Sequence, residues 1–214
     1  VIEMDRRKAI VGRGYDALAD AYREWSTRIV GDPRERLLDE LACRLATGAQ
    51  VVDLGCNDGL PWTRRLAERF EVVGVDIAPG QIAQARRNVP NAHFIAGDLA
   101  AVELPREEFD AVVALYTLHH LPREEEGDAL RRMAGWLRPG GRLLASFGAG
   151  QVDDEGEWLG VPMVFSSHDV ATNRARVAGA GLDVTREEIV TIEEPQGVAT
   201  FQWILGRRPQ ASRV

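Results

Sequence analysis

The chain has 214 residues, with 26 basic and 33 acidic side chains and a formal net charge of −7. That length predicts one sizeable domain, and 45% hydrophobic with 28% charged residues is the usage of a soluble globule, which excludes a disordered or collagen-like chain. The acidic balance and scattered cations disfavour a nucleic-acid partner, and the lack of any apolar run near roughly 18 residues, or of a signal-like leader, predicts a cytoplasmic protein with no membrane partner.

Leu18, Tyr22, Trp25 and Ile29 recur at helical spacing and predict an amphipathic helix, set apart from the core by a flexible Gly12-Arg13-Gly14. Asp32 as N-cap and Pro33 at the first position open a second helix, whose Leu37, Leu38, Leu41 and Leu45 continue to Gly48. Short Val-, Leu- and Ile-rich runs then predict strands at 51–55, 71–76, 93–98, 109–116 and 141–147, each bounded by Gly, Asp or Pro. Trp62, Leu66 and Phe70 mark a helix between the first two. Leu130, Met133, Trp136 and Leu137 mark another before the fifth, stopped by the RPGG turn at 138–141. Residues 150–166 read as a long loop, about 167–178 as a helix, and 182–192 and 198–205 as closing strands. Helices alternating with strands and ending in a strand pair predict a three-layer doubly wound α/β domain.

In such sheets ligands lie beyond the carboxyl ends of the strands. Here those ends are acidic: Asp53-Leu54-Gly55-Cys56-Asn57-Asp58-Gly59 after the first strand, Asp76 after the second, Asp98 after the third. From Gly55 to Asp76 is 76 − 55 = 21 residues, near the interval of roughly 20 at which an acidic residue holds a ribose hydroxyl pair. A nicotinamide dinucleotide wants G-x-G-x-x-G, but the matching positions are Gly55, Asn57 and Leu60, and Asp53 and Asp58 would repel a pyrophosphate. A nucleoside carrying an ammonium and a sulfonium suits the acid-rimmed turn better. Cys43 and Cys56 are too few for a disulfide framework or a zinc site, and no metal-ligand spacing appears.

These residues resemble the class I S-adenosylmethionine-dependent methyltransferases over about residues 50–147: VVDLGCNDG, VVGVDIAPGQI, FIAGDLAAVELP, FDAVVALYTLHHLP and LRPGG stand in the family's order. YDALADAY at 15–22 resembles the cofactor-covering helix of the small-molecule and quinone-type members. The resemblance implies a Rossmann-like methyltransferase fold, with a mostly parallel seven-stranded sheet and N-terminal helices over 1–30 covering a methyltransferase domain over 31–214. It implies S-adenosylmethionine as cofactor and a small-molecule methyl acceptor. Asp53, Gly55 and Leu115 would approach the methionine end and Asp76 the ribose. Ile77 would pack on adenine, Asp98 and Leu99 would meet its amino edge, and Tyr15 and Tyr22 would cover the cofactor. Asn57 replaces a family glycine, and Gln81 stands where an apolar Met often supports adenine.

His119 and His120 follow the fourth strand, where the transferred methyl should be, and a histidine there takes a proton from an attacking hydroxyl or orients it; an extended segment would let one of the two face the pocket. The plainer reading is a loop histidine packed on the next helix. Trp158, Met163 and Phe165 would form an apolar acceptor wall on a mobile loop, or bury against the core or a second subunit in a homodimer. The REEE run at 123–126 reads as a solvated helix start. The alternatives carried are an RNA or protein methyltransferase of the same fold, a nicotinamide-dependent dehydrogenase, and a catalytically silent nucleoside-binding module.

Overall fold

The structure is a computed structural model that describes residues 2–210, and the side chains of all of these but residues 2–5, 19 and 20. Nine strands and six helices alternate along the described residues: α1 (Ile2–Ser26), α2 (Arg34–Ala42), β1 (Gln50–Leu54), α3 (Trp62–Ala67), β2 (Glu71–Asp76), α4 (Pro79–Asn88), β3 (His93–Ala96), β4 (Phe109–Ala114), α5 (Arg123–Trp136), β5 (Leu137–Gly148), β6 (Val152–Trp158), β7 (Val161–Ser167), α6 (Val170–Gly179), β8 (Asp183–Glu194) and β9 (Gly197–Arg207). Seven of the strands form one sheet in the order β3-β2-β1-β4-β5-β9-β8. The first five of that order pair in parallel and β9 runs antiparallel to both neighbours, as the closing strand pair predicts.

Both faces of the sheet are dry at the central strands β1, β4 and β5, because neighbouring residues there are apolar and point to opposite sides. Val52, Val112 and Leu143 pack under α5 and α6 against Leu130, Met133 and Val177. Val51, Val113 and Leu144 pack under α2, α3 and α4 against Leu37, Leu41, Leu66 and Ile82. Leu37 and Leu41 are fully buried, each contributing roughly 1.5–3 kcal/mol by area burial. The strand order reverses between β1 and β4, which opens a crevice at their carboxyl ends.

Five expectations are corrected. Gly12 and Gly14 do not set α1 apart: they lie inside one continuous helix and are where it approaches its neighbours. A Cβ on Gly12 would sit 3.5 Å from the Ile77 carbonyl oxygen, and one on Gly14 would sit 2.8 Å from Met163 Cε. Residues 152–167 are no loop but the β6–β7 hairpin, turned at Leu159 and Gly160, both at positive φ, and its β7 packs on α1. Pattern reading missed it because β6 is polar and exposed along its length, so no alternation announces a strand. The second helix ends at Ala42, six residues short of Gly48, and the last begins at Val170 with the Asp169 carboxylate accepting from Thr172 N–H at 2.9 Å. The RPGG segment interrupts β5 as a bulge: pairing passes from Phe109↔Leu137 directly to Ala111↔Arg142.

The REEE run is likewise not a solvated start. Glu124 is exposed, but Glu125 pairs with Lys8, and Glu126 is buried with its carboxyl pushed up to about 7 by desolvation. No described helix is long and apolar enough to cross a membrane.

Candidate functional site

The turn after β1 is tight: Gly55, Asn57 and Gly59 all have positive φ (72°, 48° and 79°), and Asn is among the few residues that accept this readily. A side chain on Gly55 would come within 2.6 Å of Thr117, so the turn and the end of β4 fit together only with glycine there. Asp76 is buried beside the turn, with one carboxylate oxygen accepting from Asn57 N–H and the other from Ala78 N–H, both at 2.9 Å. Desolvation pushes its carboxyl up to about 6.

Asp76, Gly55, Ile77, Asp98, Leu99, Tyr15 and His120 line one narrow pocket of about 50 Å³, together with Lys8, Gly97, Tyr116 and Thr117. Asp98 is already engaged: Lys8 Nζ lies 2.6 Å from one oxygen and Ala100 N–H donates to the other at 2.8 Å. Asp53 and Leu115 stand across the turn, in a separate small pocket with Tyr22, Arg34 and Trp62. There Asp53 accepts the Thr63 hydroxyl at 2.6 Å, and burial pushes its carboxyl up to about 6.

A wide cavity of about 400 Å³ adjoins the narrow pocket, and Tyr15 and Tyr116 line both. Tyr22, Trp25, Trp158, Phe165, Phe201 and His119 form its aromatic walls. Trp158 is central to them, 5.0 Å from Trp25 and 6.0 Å from Tyr22 and from Phe165 by ring centroids. Met163 does not line this cavity. It is fully buried between α1 and the hairpin, beside Gly14, and is corrected from acceptor wall to packing.

The two histidines lie on a 3₁₀ turn, Leu118–His120, and not on an extended segment, so they stay close, with ring centroids 4.3 Å apart, yet face different pockets. His120 is pinned at both nitrogens, at 2.7 Å from the Val164 carbonyl and 2.8 Å from the Tyr15 hydroxyl. Since a carbonyl only accepts, Nδ1 carries the proton and Tyr15 donates to Nε2. His119 leaves a buried Nδ1 with no partner among the described residues. Desolvation keeps both neutral, lowering His120 to about 4 and His119 well below the usual histidine range, where the neighbouring His120 also acts.

Sequence reasoning missed several residues that shape this region. Asp16 accepts from Gly80 N–H at 2.9 Å and so caps α4 from α1, while Gln81, in place of the family's Met, donates to the Tyr15 carbonyl at 2.9 Å. Arg34 stacks over Trp62 and Tyr116, and Glu194 and Phe201 reach the cavity from the far strand pair. Asp16 left a signal, an acidic residue one position past the covering Tyr15, and Gln81 stood out in the sequence as a polar residue at an apolar position, whereas Arg34, Glu194 and Phe201 are brought in only by the tertiary fold.

Residues 51–141 match the family described as a methyltransferase domain. Among curated proteins, the chain is 29% identical over 207 residues to the 27-O-demethylrifamycin SV methyltransferase of Amycolatopsis mediterranei, covering 87% of this chain and 70% of that one. It is 41% identical over 96 residues to an uncharacterized methyltransferase of Mycobacterium bovis, covering 44% of this chain and 47% of that one. The chain thus spans under half the length of several curated relatives it matches. The crystal structure of the Burkholderia thailandensis 1,6-didemethyltoxoflavin-N1-methyltransferase, with bound 1,6-didemethyltoxoflavin and S-adenosylhomocysteine, superposes with a TM-score of 0.74 at 18% identity, over 97% of this chain and 91% of that one. The family match and these relatives set aside the nicotinamide dehydrogenase alternative: residues 51–141 form a methyltransferase domain, and the chain as a whole is similar to S-adenosylmethionine-dependent methyltransferases.

Proposed function

We propose that the protein moves a methyl group from S-adenosylmethionine to a small organic molecule held in the aromatic cavity. The observation that carries this reading is the shared wall: Tyr15 and Tyr116 border both the narrow pocket and the wide cavity. A cofactor on one side and an acceptor on the other would meet at those rings. The similar rifamycin and toxoflavin methyltransferases, whose acceptors are small molecules, support the same acceptor class.

The donor set fits the cofactor. Asp76 would accept from the ribose hydroxyls, Ile77 and Leu99 would pack on adenine, Asp98 would accept from the amino group once Lys8 yields, and Gly97 leaves its position open to a flat base. Asp53, Gly55 and Leu115, with Arg34, would face the methionine end, and residues 1–30 would cover the site over a domain spanning 31–214. S-adenosylmethionine bound there supplies an activated methyl on a sulfonium. The chain's own work is to hold the acceptor in line, exclude water and manage the acceptor's proton. His119 is the residue for the last task, since both nitrogens of His120 are occupied and Nδ1 of His119 is not. Trp158 and Phe165 would form the acceptor wall.

Incubating the protein with a methyl-labelled donor and three acceptor pools, small aromatic alcohols and amines, RNA, and polypeptide, tests the acceptor class. Label is expected in the small-molecule pool. Label confined to RNA or polypeptide would sink the reading.

A further inference from the structure

Three charged groups line the aromatic cavity, Arg34, Asp154 and Glu194, and they are compensated differently. Arg34 is buried between the rings of Trp62 and Tyr116, 5.3 and 4.7 Å from their centroids, and its Nε is 2.6 Å from the Asp32 carboxylate. Its charge is met inside the protein. Glu194 is half-buried on the cavity wall, with no hydrogen bond or ion pair among the described residues. Burial alone raises its carboxyl above the ordinary range. The other carboxylate of the lining, Asp154, is exposed at the rim.

The surroundings hold Glu194 in place. It faces Gly197 in the last pair of the β8–β9 ladder, its neighbour Glu193 is bridged by the Val30 backbone, and Trp25 Nε1 donates to Gln196 Oε1 at 2.7 Å across the same corner. Burial dominates the rise in the Tyr15 hydroxyl pKa, and the Glu194 charge is among the neighbours that add to it, so the carboxylate acts across the cavity. An uncompensated carboxylate in a cavity also lined by Tyr22, Trp25 and Trp158 favours a cation twice over: by charge-assisted hydrogen bonding and by the ring quadrupoles.

Resting on the methyltransferase reading above, we propose that the acceptor carries a basic amine on an aromatic body, with its ammonium held by Glu194 against the Trp25 wall. The ammonium is then a handle that orients the acceptor, and the atom that receives the methyl lies at the opposite end, beside Tyr15 and His119. The aromatic body fills the space between Trp158, Phe165 and Phe201. A hydroxyl at the handle position would also bond to Glu194, but without the charge.

Three probes of one shape separate these cases: 2-naphthylmethylamine, 2-naphthylmethanol and 2-naphthoate, titrated by calorimetry into the full chain and into Glu194→Gln. The amine is expected to bind at least about tenfold more tightly than the alcohol, and the carboxylate most weakly. Glu194→Gln should erase the amine's advantage and leave the alcohol's affinity within about twofold. Equal binding of the amine and the alcohol, an advantage that survives in Glu194→Gln, or no binding of any probe would overturn the proposal. Titration of both proteins with S-adenosylhomocysteine reports separately on the cofactor side: loss of that binding counts against the methyltransferase reading, whereas loss of the amine preference alone counts only against the handle.

Discussion

The narrow pocket and the wide cavity are built by different rules. Every strand-end residue of the first lies between residues 55 and 121, in consecutive β–α turns, and only α1 contributes from outside. Its polar groups are held by local backbone: Asp76 by Asn57 and Ala78, Asp98 by Ala100. The second draws on α1, the turn after β4, the end of β5, the β6–β7 hairpin and the β8–β9 pair, and its walls are rings in mutual contact. A pocket made of local turns recurs wherever the same turns recur, whereas a cavity made of distant rings changes with each insertion. The first therefore belongs to the cofactor common to the family and the second to an acceptor particular to this chain.

That division can be broken most sharply at the two histidines. If His119 manages the proton of a hydroxyl acceptor, His119→Ala should lower turnover by roughly 10²- to 10⁴-fold while S-adenosylhomocysteine affinity stays unchanged. His120→Ala should instead loosen the contacts that tie Tyr15 and Val164 together, so cofactor retention falls as well. Steady-state kinetics beside calorimetry on both variants checks this. Equal effects of the two would mean that the pockets do not divide the labour.

A second test uses the buried carboxylates. Asp76→Asn keeps the shape but loses the charge that would meet the ribose, and should weaken S-adenosylhomocysteine by about 10- to 100-fold. Desolvation raises the carboxyls of Asp53 and Asp76 to about 6 from an ordinary 3.8. A carboxyl raised on folding contributes stability that is present at low pH and is lost as pH rises through its folded value, so between about pH 4 and 6 these groups make the free protein less stable with rising pH. Cofactor affinity should move the other way, rising up to about pH 6 as Asp76 ionises to accept the ribose hydroxyls. Both histidines are held neutral by burial, so each naphthyl probe, amine or alcohol, should keep its own affinity constant between pH 6 and 8. Opposed trends in melting temperature and cofactor affinity would sharpen the division, and parallel trends would break it.

The same contrast explains how far the sequence could be read. Asp53, Gly55, Asp76 and Asp98 stand out because each ends an apolar strand run, and a carboxylate in that position is visible without any tertiary knowledge. Glu194 and Phe201 look like ordinary strand residues until β9 pairs with β5 and carries them to the cavity. The β6–β7 hairpin was illegible for another reason. β6 carries Asp153, Asp154, Glu155 and Glu157 and is exposed along almost its whole length; Arg6 and Arg7 of α1 bond to Glu155 and Asp153. Its partner on the inner side is β7, whose Met163 and Val164 bury against α1. Charge pairing across α1 and β6 thus replaces the alternation that normally announces a strand.

Within the hairpin, two residues that look equivalent in sequence should separate cleanly. Trp158 stands in the cavity wall, so Trp158→Ala should cost acceptor affinity, by roughly 2 kcal/mol for a large ring contact, with little change in S-adenosylhomocysteine binding. Met163 lies on the other side, where its Sδ and Cε fill the space that Gly14 leaves open. Met163→Leu conserves volume and should lower stability by less than about 1.5 kcal/mol, without altering either affinity. The branched Leu side chain cannot follow the path of the thioether past the α1 backbone, so the cost should appear in the melting temperature alone. Acceptor affinity that falls in Met163→Leu as far as in Trp158→Ala would mean that the packed seam between α1 and β7 is part of the acceptor site, and that the boundary between seam and cavity is misplaced.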